Sequence, residues 1–530
     1  MAPGRGSRPR GVSGVALALA LATGLGLGIG LVPPGLAAQA AGASPGAIGE
    51  APVFTPDAVA LEERIDRILR VSPMDRVHWG IAVFDPVSGT MLYSRNAQLP
   101  FVPASNMKLP VTYGAMALLG PEYRWDTGFW TRAGIRPDPS GTLPGDLVLA
   151  AGGDPTLGPP FHRSADEALA AVAGTLAGVG LRRVEGQLLV DVSAWDSTSV
   201  PSAWMVGNLS SRSAATGGAF SVGSGELHLE VTGAATAGGP ARVTWRPLGH
   251  SDFVDARVLT GPPGTTPAVE TRYQPESRRW IVEGVVAPGA RVTRTLAHRD
   301  PVRQSTEALA RALAGAGVEV SGGIRIIWDR GDPLLGGCAA GSIPRCPEAE
   351  RLSGLPSAPL YEVARAILEP SQNWMTEQLV RTVGAELGDE GSWSEGFRVL
   401  SDFLVDEVGV DAVELHWRDG SGLSAYNLIS PRAVIRILDD ARSRPWFQLY
   451  RMAQAEPGRE DSTLRTRLLP LAGRLFAKTG TISHVNALSG YVMRDDGSEV
   501  IFSVITNTGN LPAASIRNAM DEVVMEISRR

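Results

Sequence analysis

Strand-like runs paired across short turns lie near both ends of this 530-residue chain. Near the start, residues 78–84 and 90–94 flank the turn-forming sequence DPVSG, and near the end, residues 487–494 and 499–506 flank DDG. Two such runs on either side of a short turn predict an antiparallel hairpin. Apolar residues spaced for one helix face fill residues 57–70, and a similar stripe follows the second hairpin. We therefore expect both ends to join one antiparallel sheet with flanking helices.

The stretch between these ends has a different composition. Residues 126–345 contain short β-like runs separated by turns rich in glycine, proline and threonine, with two alanine-rich helices near 165–177 and 305–314. The chain also exceeds the roughly 100–200 residues of one typical domain. We interpret the middle as mainly β subdomains inserted into an α/β (α+β) domain, whose first part is residues 56–125 and whose second part is residues 346–530.

The first residues carry the pattern of an export signal. Three arginines precede an apolar stretch over residues 15–32, and the small residues Ala38 and Ala40 follow at the spacing that a signal peptidase recognises. We expect residues 1–40 to be a signal peptide, residues 41–55 to be a linker, and the protein to be exported, either periplasmic or associated with the cell wall. Because the apolar stretch exceeds the usual length of about 7–15 residues, an uncleaved membrane anchor remains an alternative.

Composition and residue spacing exclude several classes of protein. With 49 basic and 55 acidic residues and no basic stripe, the chain is not expected to bind nucleic acid. Its single long apolar run excludes a membrane protein with several spans. The seven histidines are scattered and the sequence has no phosphate-binding glycine loop, so neither a metal nor an organic cofactor is expected. Export would permit a disulfide between Cys338 and Cys346, the only two cysteines.

Three short polar motifs follow one another along the chain, in the order S-x-x-K, S-x-N and K-T-G. They are Ser105 with Lys108, Ser371 with Asn373, and residues 478–480. Residues three apart share one face of a helix, so a neutral Lys108 amine could take the proton of the Ser105 hydroxyl. In the third motif the lysine and threonine can hold a carboxylate, while the glycine lets a substrate backbone approach closely. The ordered set is typical of class A β-lactamases and penicillin-binding proteins.

Spacing and further segments extend this likeness. Ser105 and Ser371 are 266 residues apart, which leaves room for inserted domains. The chain resembles the low-molecular-mass class C penicillin-binding proteins, the D-alanyl-D-alanine carboxypeptidase/endopeptidase family. The segments that carry the likeness are residues 103–109, 153–157, 419–424 and 477–481. The resemblance implies a transpeptidase/β-lactamase-like domain of antiparallel sheet with flanking helices, interrupted by inserted subdomains.

The resemblance also implies a function. The protein would be a serine-type D-alanyl-D-alanine carboxypeptidase, with D,D-endopeptidase activity left open, that acts on peptidoglycan peptides and is acylated by β-lactams. The implied catalytic residues are Ser105, Lys108, Ser371 and Asn373, and the implied substrate-binding residues are Lys478, Thr479, Gly480, Thr481 and Asp154. Of these, Asp154 has an alternative explanation as a turn-forming aspartate.

The resemblance assigns these residues to steps of the reaction. Ser105 would attack the substrate carbonyl and form an acyl-enzyme, with Lys108 as the base. Ser371 and Asn373 would pass a proton to the leaving amine and hold the substrate amide. The lysine and threonine of the third motif would hold the terminal carboxylate, and the N–H groups of Ser105 and Thr481 would bind the oxyanion. Two neighbouring cations are expected to keep Lys108 neutral, because each repels the other's proton.

Two residues depart from these patterns. Pro110 lies inside the helix that follows Ser105, where it would remove the N–H bond to Asn106 and produce a kink. Ala425 stands where the family often carries an arginine that faces a side-chain carboxylate of the peptide. The identity of the diamino acid in the substrate therefore stays open, as does the oligomeric state.

Two other functions remain compatible with the motifs. A serine esterase or β-lactamase would need fast deacylation of the penicilloyl-enzyme, and nothing in the sequence marks a deacylating glutamate. A non-catalytic wall-binding or penicillin-sensing protein would keep the fold without turnover. The intact Ser105, Lys108, Asn373 and Lys478 argue against that second alternative.

Overall fold

The computed structural model describes residues 56–247 and 252–529, so the predicted signal peptide (1–40) and linker (41–55) lie outside the described part of the chain. The strands are β1 (His78–Asp85), β2 (Thr90–Arg95), β3 (Asp126–Arg132), β4 (Thr142–Leu143), β5 (Leu147–Ala150), β6 (Arg183–Val184), β7 (Leu188–Asp191), β8 (Glu226–Thr232), β9 (Arg242–Arg246), β10 (Val254–Thr260), β11 (Ala268–Gln274), β12 (Arg279–Val286), β13 (Arg291–Ala297), β14 (Glu319–Val320), β15 (Ile324–Ile327), β16 (Ala349–Pro356), β17 (Leu415–His416), β18 (Leu428–Ile429), β19 (Leu475–Ile482), β20 (Val485–Met493) and β21 (Glu499–Asn507). The helices are α1 (Pro56–Leu69), α2 (Lys108–Leu119), α3 (Ala165–Gly178), α4 (Pro301–Gly315), α5 (Leu360–Leu368), α6 (Asn373–Leu387), α7 (Trp393–Asp402), α8 (Pro431–Arg442), α9 (Phe447–Met452) and α10 (Ala513–Ser528). Within the described ranges, no helix is long and apolar enough to span a membrane.

Both ends of the chain meet in one antiparallel sheet, in the order β19-β20-β21-β1-β2. β1 pairs with β2 inside the first hairpin and with β21 from the second, where Ile81 lies opposite Val504. The predicted runs agree with these strands to within two residues at each end. The expectation that both ends join one sheet is confirmed.

Helices cover both faces of this sheet. Successive residues of a strand point to opposite faces, so Ile81 and Val83 of β1 pack with α1 and α10. Ala82 and Phe84 face the other way, into a core formed with α2, α5, α6 and α8. Residues 108–116 of α2 are all buried, which leaves this part of the helix no face in water. The fold therefore places the lysine of the first motif in the interior.

The inserted region is mainly β, as its short β-like runs predict. Its largest sheet has the order β15-β7-β5-β3-β16 and packs with α3 and α4. In this sheet β16 pairs with β3, with Ala349 opposite Arg132. The insertion therefore extends to Pro356, beyond the predicted boundary at residue 345. No local pattern marks that end, because β16 finds its partner 217 residues earlier in the chain.

The two cysteines lie in the inserted region and are bonded to each other. The disulfide joins Cys338 and Cys346. The loop that it closes packs on the apolar residues Val148 of β5 and Leu189 of β7. The bond holds a local loop against the sheet, because its two cysteines are only eight positions apart along the chain.

Candidate active site

Ser105 lies in a short 3₁₀ turn, Ala104–Met107, that leads directly into α2. The α-helix begins at Lys108, so Ser105 precedes the helix on which the motif spacing placed both residues. Pro110 is therefore in the first helical turn, where a backbone N–H has no partner within the helix. The predicted loss of a hydrogen bond to Asn106, and the kink expected from that loss, do not follow from this geometry.

Two glycines let neighbouring backbone approach the Ser105 turn. Gly422 has φ +80° and lies so close that a Cβ there would overlap the Ala104 carbonyl oxygen. A Cβ on Gly480 of β19 would lie 2.7 Å from the Pro103 carbonyl oxygen and 3.1 Å from the Ser105 nitrogen. The first and third motifs therefore meet through close backbone contact that a side chain would obstruct.

Gly422→Ala is expected to slow acylation of Ser105 at least about tenfold and to lower stability by about 1–3 kcal/mol, because it forces a strained φ and an overlap beside the nucleophile. Labelling rates with benzylpenicillin and thermal unfolding measure the two effects. Gly497→Ala is the matched control, since Gly497 has φ +84° but a Cβ there meets nothing within 4 Å. Equal labelling rates in the two variants would contradict the importance of this close approach.

The Lys108 amine joins the first two motifs. Nζ lies 3.0 Å from Ser105 Oγ, 2.7 Å from Asn373 Oδ1 and 2.6 Å from the Ser421 carbonyl oxygen. A neutral amine has two N–H donors and one lone pair. It can therefore donate to Asn373 and Ser421 and still accept a hydrogen bond from the Ser105 hydroxyl. This set of partners suits a lysine that acts as a base.

Burial is the main reason that the pKa of Lys108 falls to about 7. The charges of Glu377 and Asp419 oppose this shift in pKa. The expected mutual repulsion of two cations instead acts on Lys478, because the charge of Lys108 contributes to lowering the pKa of Lys478. Because the amine loses its proton as the pH rises through about 7, a reaction that needs the neutral form should accelerate over that range.

The third motif lies on β19, an edge strand of the sheet. The side chain of Lys478 is buried, and its Nζ donates to the Thr479 carbonyl oxygen at 2.9 Å. Burial first, and the charge of Lys108 second, hold the pKa of Lys478 well below its ordinary value. Further along the strand, Thr481 Oγ1 donates to the Gly480 carbonyl oxygen at 2.8 Å. The structure thus brings the two lysines of the motifs into one buried region.

The second motif lies at the start of α6. Asn373 is the first residue of the helix, and Ser371 lies two residues before it with φ +66°. Asn373 Nδ2 donates to the Ser213 carbonyl oxygen at 2.8 Å, while Oδ1 accepts from Lys108. The amide is therefore held from two sides, by the base and by the inserted region.

Asp154 makes a separate set of hydrogen bonds. Its carboxylate is buried and accepts hydrogen bonds from Thr156 N at 2.7 Å, Thr156 Oγ1 at 2.6 Å and Thr127 Oγ1 at 3.4 Å. Burial raises the pKa of Asp154 to about 6. A bond to the backbone two residues ahead is the geometry of a turn-forming aspartate. The structure therefore favours that alternative over direct substrate binding.

Several residues of the site were missed in the sequence. Glu377 lies four residues after Asn373 on α6, a spacing that puts both on one helix face and could have revealed it. Asp419 lies in a segment that carries the resemblance but was assigned no role in the reaction, and it accepts backbone N–H groups of its own loop. Ser421 and Ser213 take part through carbonyl oxygens, which side-chain type cannot indicate.

Comparison with known proteins gives matches over nearly the whole chain. Residues 61–527 match the family model described as the D-Ala-D-Ala carboxypeptidase 3 (S13) family. A D-alanyl-D-alanine carboxypeptidase of Actinomadura sp. (strain R39) is 32% identical over 468 residues, covering 86% of this chain and 82% of that protein. The penicillin-sensitive carboxypeptidase A of Dictyostelium discoideum is 21% identical and covers 85% of this chain and 87% of that protein. The crystal structure of penicillin binding protein 4 (dacB) from Haemophilus influenzae has a TM-score of 0.71 at 18% identity, covering 90% of this chain and 100% of that one, which confirms the predicted fold.

Proposed function

The chain belongs to the D-Ala-D-Ala carboxypeptidase 3 (S13) family, and from this premise we propose how its own residues act. It is a serine hydrolase that shares its fold with penicillin binding protein 4. We propose that it removes the terminal D-alanine from peptidoglycan peptides through an acyl-enzyme on Ser105. The same residues would cleave D,D cross-links, since that reaction breaks the same kind of amide bond with a larger leaving amine.

One observation carries this proposal. A buried lysine amine lies 3.0 Å from Ser105 Oγ and has acceptors within 2.7 Å for both of its N–H groups. A serine and a lysine on a solvated helix face would not share such partners, and the lysine there would stay protonated at neutral pH. Burial makes Lys108 a base near pH 7, which is the condition for activating a serine hydroxyl.

In the acylation step, the Ser105 O–H bond breaks and Oγ bonds to the carbonyl carbon of the penultimate D-alanine. The proton passes to Lys108 Nζ, and the carbonyl electrons move to the oxygen, which the N–H groups of Ser105 and Thr481 stabilise. When the C–N bond breaks, the leaving D-alanine amine takes that proton by way of the Ser371 hydroxyl. Water then attacks the acyl carbon and gives one proton to Lys108 Nζ; when the bond between the acyl carbon and Ser105 Oγ breaks, Lys108 passes this proton to Oγ.

The third motif would hold the substrate carboxylate. Lys478 is buried and its pKa is well below the ordinary value, so an approaching carboxylate favours uptake of a proton by this amine. The ammonium and the Thr479 hydroxyl then bind the two carboxylate oxygens. A substrate without a terminal carboxylate would lose this contact.

We further propose that β-lactams acylate the same serine as mimics of the substrate. A second crystal structure of the Haemophilus influenzae protein, complexed with a novel β-lactam, supports this proposal, with a TM-score of 0.66 to this chain. The pattern in residues 1–40 supports export to the periplasm or cell wall, where peptidoglycan lies. An exported protein would meet both its substrate and the antibiotic in that compartment.

A peptide that ends in D-Ala-D-Ala tests the proposed function. Incubation with the purified protein is expected to release one D-alanine per peptide, because the reaction breaks only the last amide bond. Mass spectrometry of the peptide and an assay for D-alanine measure the products. The same peptide with an amidated C-terminus is the control and should react about a hundredfold more slowly, since it lacks the carboxylate. A folded protein that binds the peptide and releases no D-alanine would contradict the proposal.

A further inference from the structure

Glu377 is a buried carboxylate on α6 that the reaction scheme does not use. It lies one helical turn after Asn373, and only 1% of its surface is exposed. Its oxygens accept N–H bonds from Ser421 at 2.8 Å, from Gly420 at 3.0 Å and from Trp393 Nε1 at 2.8 Å. Burial, followed by the charge of Asp419, raises the pKa of Glu377, whereas these three donors act in the opposite direction and favour the ionised carboxylate.

Ser421, whose N–H donates to Glu377, also accepts a hydrogen bond from Lys108. The Ser421 carbonyl oxygen accepts from Lys108 Nζ at 2.6 Å. The N–H of the same peptide unit, on Gly422, donates to Asp419 Oδ1 at 2.7 Å. This peptide unit therefore points its negative end at the lysine and its positive end at a carboxylate, an arrangement in which the two hydrogen bonds polarise and strengthen each other.

Titratable side chains from four elements interact electrostatically in this buried region, namely Lys108 from α2, Glu377 from α6, Asp419 from the loop after β17 and Lys478 from β19. Arg381, one turn further along α6, also interacts with Glu377 but is paired with Asp196 at 2.6 Å. The two carboxylates raise the proton affinity of Lys108, against the effect of burial. The negative charge of these two carboxylates therefore stabilises an ammonium on Lys108 in this buried region.

We propose that Glu377 is a positioning residue for the base: it fixes the Ser421 carbonyl against the Lys108 amine and, with Asp419, stabilises the ammonium that forms when Ser105 gives up its proton. This inference rests on the proposed function, because it concerns the same acylation step. In that step the O–H bond of Ser105 breaks, the proton goes to Lys108 Nζ, and Oγ bonds to the substrate carbonyl carbon. Without the carboxylate, the lysine would be a weaker and less well-fixed base.

Glu377→Gln tests this role, since it keeps the size of the side chain and removes its charge. Because the charge of Glu377 raises the pKa of Lys108, its loss should move the acidic midpoint of the acylation rate to lower pH. We expect a shift of about one pH unit and a plateau rate about tenfold lower. The rate of acylation by benzylpenicillin, followed by intact-protein mass spectrometry across the pH range, gives both quantities. Glu386→Gln, the same change at an exposed position near the end of α6, should alter neither.

The outcomes separate positioning from a purely structural role. If Glu377→Gln lowers the plateau rate of acylation but keeps the wild-type pH midpoint, the proposal is overturned. A purely structural defect would lower the rate in this way without changing the proton affinity of Lys108. If that variant does not fold, Glu377→Asp replaces it: the charge is kept, so we expect the wild-type midpoint with a lower plateau. A plateau equal to wild type in Glu377→Asp would overturn the positioning role. Wild-type protein that benzylpenicillin does not acylate would instead overturn the proposed function.

Discussion

Incubation with benzylpenicillin is expected to add the mass of one penicillin molecule to the wild-type chain and none to Ser105→Ala. The variant lacks the only hydroxyl that lies within hydrogen-bond distance of the buried Lys108 amine among the described residues. Release of D-alanine should fall by about 10⁴-fold or more, because the covalent intermediate cannot form. Intact-protein mass spectrometry and the D-alanine assay measure the two effects. Ser140→Ala, in an exposed turn, is the control and should behave as wild type.

The fate of the penicillin distinguishes the remaining alternatives. No adduct with penicillin unchanged in the medium would favour a wall-binding protein that keeps the fold without turnover. No adduct with penicillin consumed would favour a β-lactamase, in which deacylation is fast. An adduct on Ser105→Ala as well as on wild type would show that a different residue is the nucleophile.

Lys108→Met is expected to reduce acylation of Ser105 by about 10²–10⁴-fold, which is the usual contribution of a general base. Methionine nearly matches the length of the buried side chain but cannot take the serine proton. The wild-type rate should rise as the pH passes through about 7, where Lys108 becomes neutral, and the variant should lack this rise. Penicilloyl-enzyme formation measured across pH by mass spectrometry gives both results.

Lys108→Arg is the companion variant, because arginine keeps a positive charge at every accessible pH and cannot act as a base. It should be as slow as Lys108→Met if proton transfer is the role of this residue. Near wild-type rates in Lys108→Arg would mean that charge alone matters at this position. Thermal unfolding of both variants is needed, since loss of the amine leaves the Asn373 and Ser421 oxygens without their donor, at a cost of about 1–3 kcal/mol each.

The parts of the fold that the sequence predicts well are those determined by neighbours along the chain. The hairpins follow from apolar runs that flank turns at residues 85–89 and 495–497, and the observed strands differ from the prediction by at most two residues at each end. The end of the insertion depends instead on the pairing of β16 with β3, which no nearby residue signals. The start of α2 was misplaced because a 3₁₀ turn and the first turn of an α-helix have similar local sequences.

The same distinction between local and distant contacts applies to the residues of the candidate site. Ser105, Lys108 and Asn373 were predicted from side-chain chemistry at fixed spacings, and the structure brings them together. The roles assigned to them stay predictions. Glu377 and Ser421 were missed because one acts on backbone N–H groups and the other through its carbonyl oxygen. Such contacts depend on where a loop that is distant in sequence lies in the folded chain, which side-chain chemistry does not indicate.

The sheet that joins both ends of the chain also determines at what point in synthesis and folding the active site can form. Ile81 of β1 pairs with Val504 of β21, so β1 lacks one of its two neighbours until the chain has been synthesised past residue 504. Pairing between such distant segments is entropically slow, and it comes late in folding. The third motif lies on the same sheet, and its Gly480 meets the Ser105 turn only when that sheet has formed. A nascent chain would therefore carry an inactive serine until its last strands are added.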